Sequence, residues 1–176
     1  MDLENFSSKL LKEAVDEFAK LPGIGKKTAL RLVLHLLNRD KEEVSQFGNI
    51  LIKLRNEIKR CKSCNMISDS DICPICSNKK RDHSLICVVE NSRDVMAIES
   101  THQYQGIYHV LGGIISPMDG LGPSDLNIEN LQNKINENTV KELILALSTT
   151  MEGDTTNFYL YKRFKDCSVK ITTIAR

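Results

Sequence analysis

The chain has 176 residues, with 24 Lys and Arg against 23 Asp and Glu and a formal net charge of +1, a length that accommodates one or two small domains. The longest apolar run near its middle, Leu85 to Val89, is far too short to span a membrane. Met1-Asp2-Leu3-Glu4-Asn5 has neither a basic start nor an apolar stretch, so no secretory signal is expected and the compartment is read as intracellular and reducing.

The small net charge hides an asymmetry. Up to His83 there are 16 basic against 12 acidic residues, a net of +4; from Ser84 onward there are 8 against 11, a net of −3. Within Lys26 to Arg81 the count is 13 basic against 6 acidic. A basic front suits a polyanion and an acidic back suits another partner, although charge runs are usually solvated faces.

Leu10, Leu11, Ala14, Val15 and Phe18 recur at helical spacing and predict an amphipathic helix ending near Leu21, where Pro22 stops it. Leu21-Pro22-Gly23-Ile24-Gly25-Lys26-Lys27-Thr28-Ala29 then reads as a tight glycine turn opening directly into a second helix. Amide N–H groups exposed at that helix start, together with the positive end of its dipole, form a seat for a phosphate. Lys27, Arg31 and His35 fall four and four apart on one face, with Ala29, Leu32, Val33 and Leu36 opposite. The segment resembles the helix–hairpin–helix motif of DNA-repair proteins, which holds the backbone without reading bases. An ordinary pair of helices joined by a Gly-rich turn is the alternative. A dinucleotide fingerprint is not expected, because the third glycine is missing and no strand precedes the segment.

Val44, Phe47, Leu51, Leu54 and Ile58 step by three and four and predict a third helix, whose stripe is expected to pack on the first two or on a partner chain. The cations around its end (Lys53, Arg55, Lys59, Arg60, Lys62), and Lys79, Lys80 and Arg81 further on, either line a DNA path or are simply solvated.

Cys61, Cys64, Cys73 and Cys76 stand as C-x-x-C, eight residues, then C-x-x-C. Two such pairs this close predict a closed tetrahedral Zn2+ site, one per chain. Lys62-Ser63 and Pro74-Ile75 fill the two knuckles, and Ser68-Asp69-Ser70-Asp71 makes a polar connection. Four sulfur ligands leave no position for water, so the metal folds a module and does no chemistry. A disulfide pair or four unrelated core thiols are the alternatives. Cys87, in an apolar run, reads as a buried free thiol.

From Ser84 the pattern alternates between strands and helices. Leu85 to Val89 reads as a strand buried on both faces and ending in Glu90, with Asn91 or Ser92 capping a helix that carries Val95, Met96 and Ile98. Ile107 to Leu111 is a second strand, and a Gly- and Pro-rich loop leads to a helix bearing Ile128, Leu131 and Ile135. Leu143 to Leu147, a helix with Phe158, Tyr161 and Phe164, and a strand from Val169 to Ile174 complete an α/β domain with a mainly parallel sheet.

Glu90 ends the first strand, and Glu152 and Asp154 lie just past the third, where ligands gather in such sheets. This cluster resembles that of a Toprim domain, whose enzymes hold magnesium with a glutamate and an Asp-x-Asp. Here Ser148 and Thr150 occupy the two aspartate positions of Ser148-Thr149-Thr150-Met151-Glu152-Gly153-Asp154, which implies a degenerate, non-catalytic Toprim domain.

The order of glycine hairpin, four-cysteine knuckle and Toprim domain resembles the RecR family of bacterial recombination mediators. The Leu-Pro-Gly-Ile-Gly-Lys-Lys-Thr-Ala start, the cysteine pairs, Val89-Glu90-Asn91, the stretch from Gly112 to Pro123 and Met151-Glu152-Gly153-Asp154 carry the likeness, which covers essentially the whole chain. It implies an α+β multi-part fold: a helix–hairpin–helix region over 1–56, a four-cysteine zinc knuckle over 57–83 and a Toprim domain over 84–176. It further implies a non-enzymatic, cytoplasmic, nucleoid-associated protein that binds duplex and gapped or single-stranded DNA as a clamp-like homo-oligomer. RecO and RecF are the implied partners, with RecA loading at gaps the outcome. Gly23, Gly25, Lys26, Lys27 and Arg31 match the DNA-gripping positions, and Glu90, Glu152 and Asp154 are candidates for a partner surface, solvated strand-end carboxylates being the alternative. Chains of the family continue past the strand ending at Ile174-Ala175-Arg176 into a Gly-rich segment and a helical arm that contacts a neighbouring subunit. On that pattern the Toprim domain is C-terminally incomplete, and a dimer stands beside the family's ring-like tetramer. The competing function is a metal-dependent Toprim nuclease or primase accessory.

Overall fold

The computed structural model describes residues 8–137 and 139–174. The readings that fall on Met1 to Asn5 and on Ala175-Arg176 lie outside the described residues. The chain divides into two compact units, Met1–Asn56 and Glu57–Arg176.

In the first unit, α1 (Lys9–Ala19) starts at Ser8, whose hydroxyl accepts the Leu11 amide at 3.3 Å. It packs on α2 (Lys26–Leu37) through buried Val15, Ala29 and Val33, flanked by half-buried Leu11, Ala14, Phe18, Ile24 and Leu30. The expected third helix is α3 (Lys41–Glu57), but its stripe does not pack as expected: the helix buries no residue. Phe47, Leu51 and Leu54 remain 43%, 50% and 53% exposed, and Ile58 falls beyond the helix end. Periodicity marks an apolar face without saying what covers it.

The second unit opens with a two-residue antiparallel pair, β1 (Lys59–Arg60) with β2 (Ile67–Ser68), followed by one turn of helix, α4 (Pro74–Ser77). A four-stranded parallel sheet follows, in the order β4-β3-β5-β6: β3 (Asp82–Val89), β4 (Gly106–Val110), β5 (Glu142–Leu145) and β6 (Lys170–Thr173). Val88 is level with His109 on one side and Leu145 on the other, and Leu145 with Thr173. Strand alternation sends Ile86, Val88, Ile107 and Leu111 to one face, where α6 (Ile128–Asn136) and α7 (Met151–Phe164) supply Ile128, Leu131, Ile135, Leu160 and Phe164. Cys87, Val89, Tyr108 and Val110 go to the other, against Val95 of α5 (Ser92–Glu99) and half-buried Met66 and Ile75 of the cysteine-bearing segment. Every strand of the sheet is parallel, and β3 and β4 read as near-continuous apolar runs because both faces are covered.

Asn91 caps α5 in a capping box with Asp94, as one of the two expected candidates. The helix bearing Phe158, Tyr161 and Phe164 forms as α7; Gly153, Thr156, Leu160 and Phe164 are buried in it, while Phe158 is 66% and Tyr161 53% exposed. Gly153 is required, because a Cβ there would collide with the Ser148 carbonyl oxygen. Cys87 is a buried free thiol, pushed up to about 12 by burial.

This division of α7 yields a direct comparison. Phe164→Ala empties a fully buried site and is expected to cost about 3–5 kcal/mol, whereas Phe158→Ala should change stability by no more than about 0.5 kcal/mol. Urea unfolding with unchanged slope measures both, and equal losses would contradict the packing.

Candidate functional site

The cysteines come together. The Sγ atoms of Cys61, Cys64, Cys73 and Cys76 all lie within 4.8 Å of one another, three of the residues buried and Cys76 half-buried. Zn–S bonds of about 2.3 Å in a tetrahedron put sulfurs about 3.8 Å apart; Cys64 and Cys73 are 3.6 Å apart. All six cysteines are free thiols, which removes the disulfide alternative. Backbone geometry explains the convergence. Asn65 takes a left-handed φ of 62° and donates its amide to Cys61 O at 2.8 Å, while Cys61 N–H returns to Met66 O at 2.8 Å. Pro74 fits the first turn of α4, and the Cys73 and Cys76 amides donate to the sulfurs of Cys61 (3.2 Å) and Cys73 (3.4 Å).

Four thiols this close do not ionise together unaided. A hydrogen bond between Cys64 and Cys76 raises Cys64 far above the ordinary thiol range and lowers Cys76 to about 5, and burial raises Cys73 to about 11. A dication resolves the conflict, so the donor set fits one Zn2+ held by four thiolates.

The knuckle sits on the sheet edge. Cys64 O accepts the Val110 amide at 2.8 Å, and Asn65 Nδ2 donates to Val110 O at 3.0 Å, so the outer backbone groups at the end of β4 are paired. Most of the basic cluster beside it is engaged locally. Lys59 and Lys62 both reach Asp71, at 3.1 and 2.6 Å, and Arg60 donates to Asn65 O at 3.2 Å. Arg81 is largely buried in a fork with Glu99 and also donates to Gly106 O at 2.8 Å.

In the first unit, Gly23 has φ +77°, a left-handed turn that admits glycine readily, and Gly25 is the N-cap of α2. Gly25 has no side chain to occupy the first amides of the helix, so those of Lys26 and Lys27 open outward. Lys26, Lys27 and Arg31 are exposed, and Lys27, Thr28, Leu30, Arg31 and Leu34 line a shallow depression of ≈ 380 Å³. His35, also exposed, accepts from Arg39 Nε at 3.4 Å.

At the carboxyl ends of the strands, half-buried Glu90 follows β3, and exposed Glu152 and Asp154 lie in the first turn of α7. Among the described residues the cysteine tetrad is the one group of three or more His, Cys, Asp and Glu side chains with ligand atoms this close, so the carboxylates are not drawn into such a cluster. Thr150 is the N-cap of α7, its hydroxyl accepting the Gly153 amide at 3.2 Å, and Ser148 Oγ is 3.2 Å from Thr150 Oγ1. Thr150, read from the sequence as standing at a Toprim aspartate position, serves as a helix cap.

Comparison with known proteins agrees with this geometry. A family model described as RecR, helix-hairpin-helix, matches residues 11–54; one described as the RecR four-cysteine zinc finger domain matches 58–78; a Toprim domain model matches 84–175. The chain is 61% identical over 173 residues to the recombination protein RecR of Bacteroides thetaiotaomicron, covering 98% of this chain and 84% of that one. It is 58% identical to RecR of Flavobacterium psychrophilum over 171 residues, covering 97% and 83%. It is 55% identical to RecR of Porphyromonas gingivalis over 174 residues, covering 99% and 84%.

The chain belongs to the RecR family. The family's four-cysteine finger accounts for the tetrad, and its Toprim domain for the four-stranded sheet and its helices. Sequence reasoning missed Asn65, whose positive φ has no reliable local signal, and Asn130, whose Nδ2 donates to Lys62 O at 2.9 Å from a helix 68 residues away. It also missed Lys134, one turn further along α6, whose Nζ is buried without a hydrogen-bond partner.

The RecR zinc site generates a metal-removal test. Purified protein should carry about one zinc per chain, and Cys61→Ser or Cys73→Ser should lose it and unfold the knuckle. Elemental analysis with hydrogen exchange of the Cys61 and Asn65 amides checks this; zinc-free variants with protected amides would contradict it.

Proposed function

We propose that this chain is a non-enzymatic recombination-repair protein that grips DNA by its phosphates and acts as a clamp-like homo-oligomer. Residues 1–56 are the DNA-gripping region, 57–83 the zinc knuckle and 84–176 the Toprim domain. With RecO and RecF it promotes RecA loading at single-stranded gaps in the bacterial cytoplasm.

The observation that carries this reading is the start of α2. A glycine N-cap leaves helix amides open, and exposed Lys27 and Arg31, four residues apart, add charge beside them. Such a seat takes phosphate oxygens from duplex, gapped or single-stranded DNA and reads no base. Gly23, Gly25, Lys26, Lys27 and Arg31 are the residues assigned to it. The relatives' name, recombination protein, supports the process, and the uncovered apolar face of α3 supports self-association. The non-enzymatic reading rests on the closed four-thiolate site and on the hydroxyls of Ser148 and Thr150. Glu90, Glu152 and Asp154 are assigned to a basic partner surface, with RecO the candidate; charge complementarity of this kind mainly raises association rates and makes them salt-sensitive.

The test is DNA-binding anisotropy across a salt series. Lys27→Ala with Arg31→Ala should weaken affinity uniformly across sequences and flatten the salt slope by roughly one to two units. Unchanged binding at every salt concentration would remove this site. Glu90→Gln with Glu152→Gln should slow association with purified RecO while leaving DNA affinity intact; unchanged kinetics would remove the partner role. Magnesium-dependent nicking or primer synthesis by the parent protein would establish the enzymatic alternative instead.

A further inference from the structure

A zinc ion held by four thiolates carries a net charge of −2, and here it is set where three of the four sulfur-bearing residues are buried. Buried charge is costly unless it is paired. The cations nearest in sequence are already engaged elsewhere: Lys59 and Lys62 hold Asp71, and both are more than half exposed. Hydrogen bonds from the Cys73 and Cys76 amides reach the sulfurs but bring dipoles rather than charge.

A second imbalance lies on α6. Among the described residues, three buried side-chain polar atoms have no hydrogen-bond partner, and Lys134 Nζ is one of them. An ammonium has three donors and no acceptor, so leaving it dry and unpaired is costly as well. The same helix already reaches the knuckle: Asn130, four residues earlier and therefore on the same face, donates to Lys62 O at 2.9 Å and to Ser63 O at 3.4 Å, within the turn between Cys61 and Cys64. Burial disfavours the Lys134 charge, and the thiol groups of Cys76, Cys64, Cys61 and Cys73 each favour it. His109 is a further titratable group beside it. Its imidazole is buried, Nε2 donates to Asn127 O at 2.6 Å, and burial with the nearby Lys134 charge keeps it neutral down to about 4. Neutral His109 therefore supplies neither a counter-anion for Lys134 nor a second cation for the cysteines.

We propose that Lys134 is the counter-cation of the zinc site: its ammonium rests against the tetrathiolate, offsets part of its charge, and thereby couples metal loading to the docking of α6 on the knuckle. One positive charge offsets half of the site's −2, and the tetrathiolate in turn compensates the buried ammonium. The knuckle is then held on β4 by the Val110–Cys64 backbone bond and the Asn65 side chain, and on α6 by Asn130 and Lys134, so it is fixed along the sheet edge rather than hinged on it.

The test is zinc affinity measured by competition with a chromophoric chelator on the full chain. Lys134→Met keeps the length of the side chain and removes its charge; it should bind zinc about 10–100-fold more weakly, the range found when groups supporting metal ligands are removed. Lys134→Arg, which keeps the charge, should lose clearly less, and iodoacetamide should alkylate the cysteines faster in the Met variant than in the Arg variant. Zinc retained by the Met variant as tightly as by the parent would overturn the proposal, as would equal losses in the Met and Arg variants. Should Lys134→Met fail to fold, the zinc-loaded parent decides: nuclear Overhauser contacts between the Lys134 ε-methylene and the cysteine β-protons are expected, and their absence overturns the placement.

Discussion

Four thiolates drawn to one point in a low-dielectric interior are tolerable only around a cation, and the second unit depends on that constraint. The knuckle has little else to hold it. Its only sheet is a pair of two-residue strands, and its helix is a single turn; neither persists alone in water. The metal closes both cysteine pairs onto one centre and so fixes the turn at Asn65. That turn in turn presents Cys64 O and Asn65 Nδ2 to Val110.

This attachment solves a problem for the sheet. β4 is an edge strand, level with β3 on one side and open on the other, and an open edge invites pairing with another chain. The knuckle covers it, packing Met66 and Ile75 against the face that carries Tyr108 and Val110. At the far end of the strands the Toprim scaffold persists while two of its positions hold hydroxyls. Thr150 caps α7, and Gly153 lets that helix start tight against Ser148. The first unit is built differently, with a core of Val15, Ala29 and Val33 under a turn whose amides and cations face outward. One unit thus presents exposed cations beside a glycine-capped helix start and the other a metal-stapled sheet.

What the sequence revealed follows from the range of the physics. Cysteine spacing is local, and the tetrad is where C-x-x-C pairs put it. The apolar run at Leu85 and the cap at Asn91 are also local, and both elements form, although β3 begins at Asp82 because its first residues pair with the segment leading into β4. The α3 stripe shows the limit of this reasoning. Its spacing is right for burial, yet burial needs a partner surface that spacing does not name. The same limit holds in α7, which turns Thr156, Leu160 and Phe164 inward and leaves the equally apolar Phe158 and Tyr161 exposed. Lys134 is illegible for a stronger reason: in sequence it is an ordinary lysine on an amphipathic helix, and only the fold brings α6 to a cysteine turn some seventy positions earlier.

Hydrogen exchange at the Val110 amide, with zinc bound and after chelation, tests the central claim most directly. That amide donates to the knuckle and not to the sheet. Its protection should collapse when zinc is withdrawn, while the Leu145 and Ile144 amides within the sheet and those of α2 in the other unit keep theirs. Equal protection of Val110 with and without the metal would contradict the account.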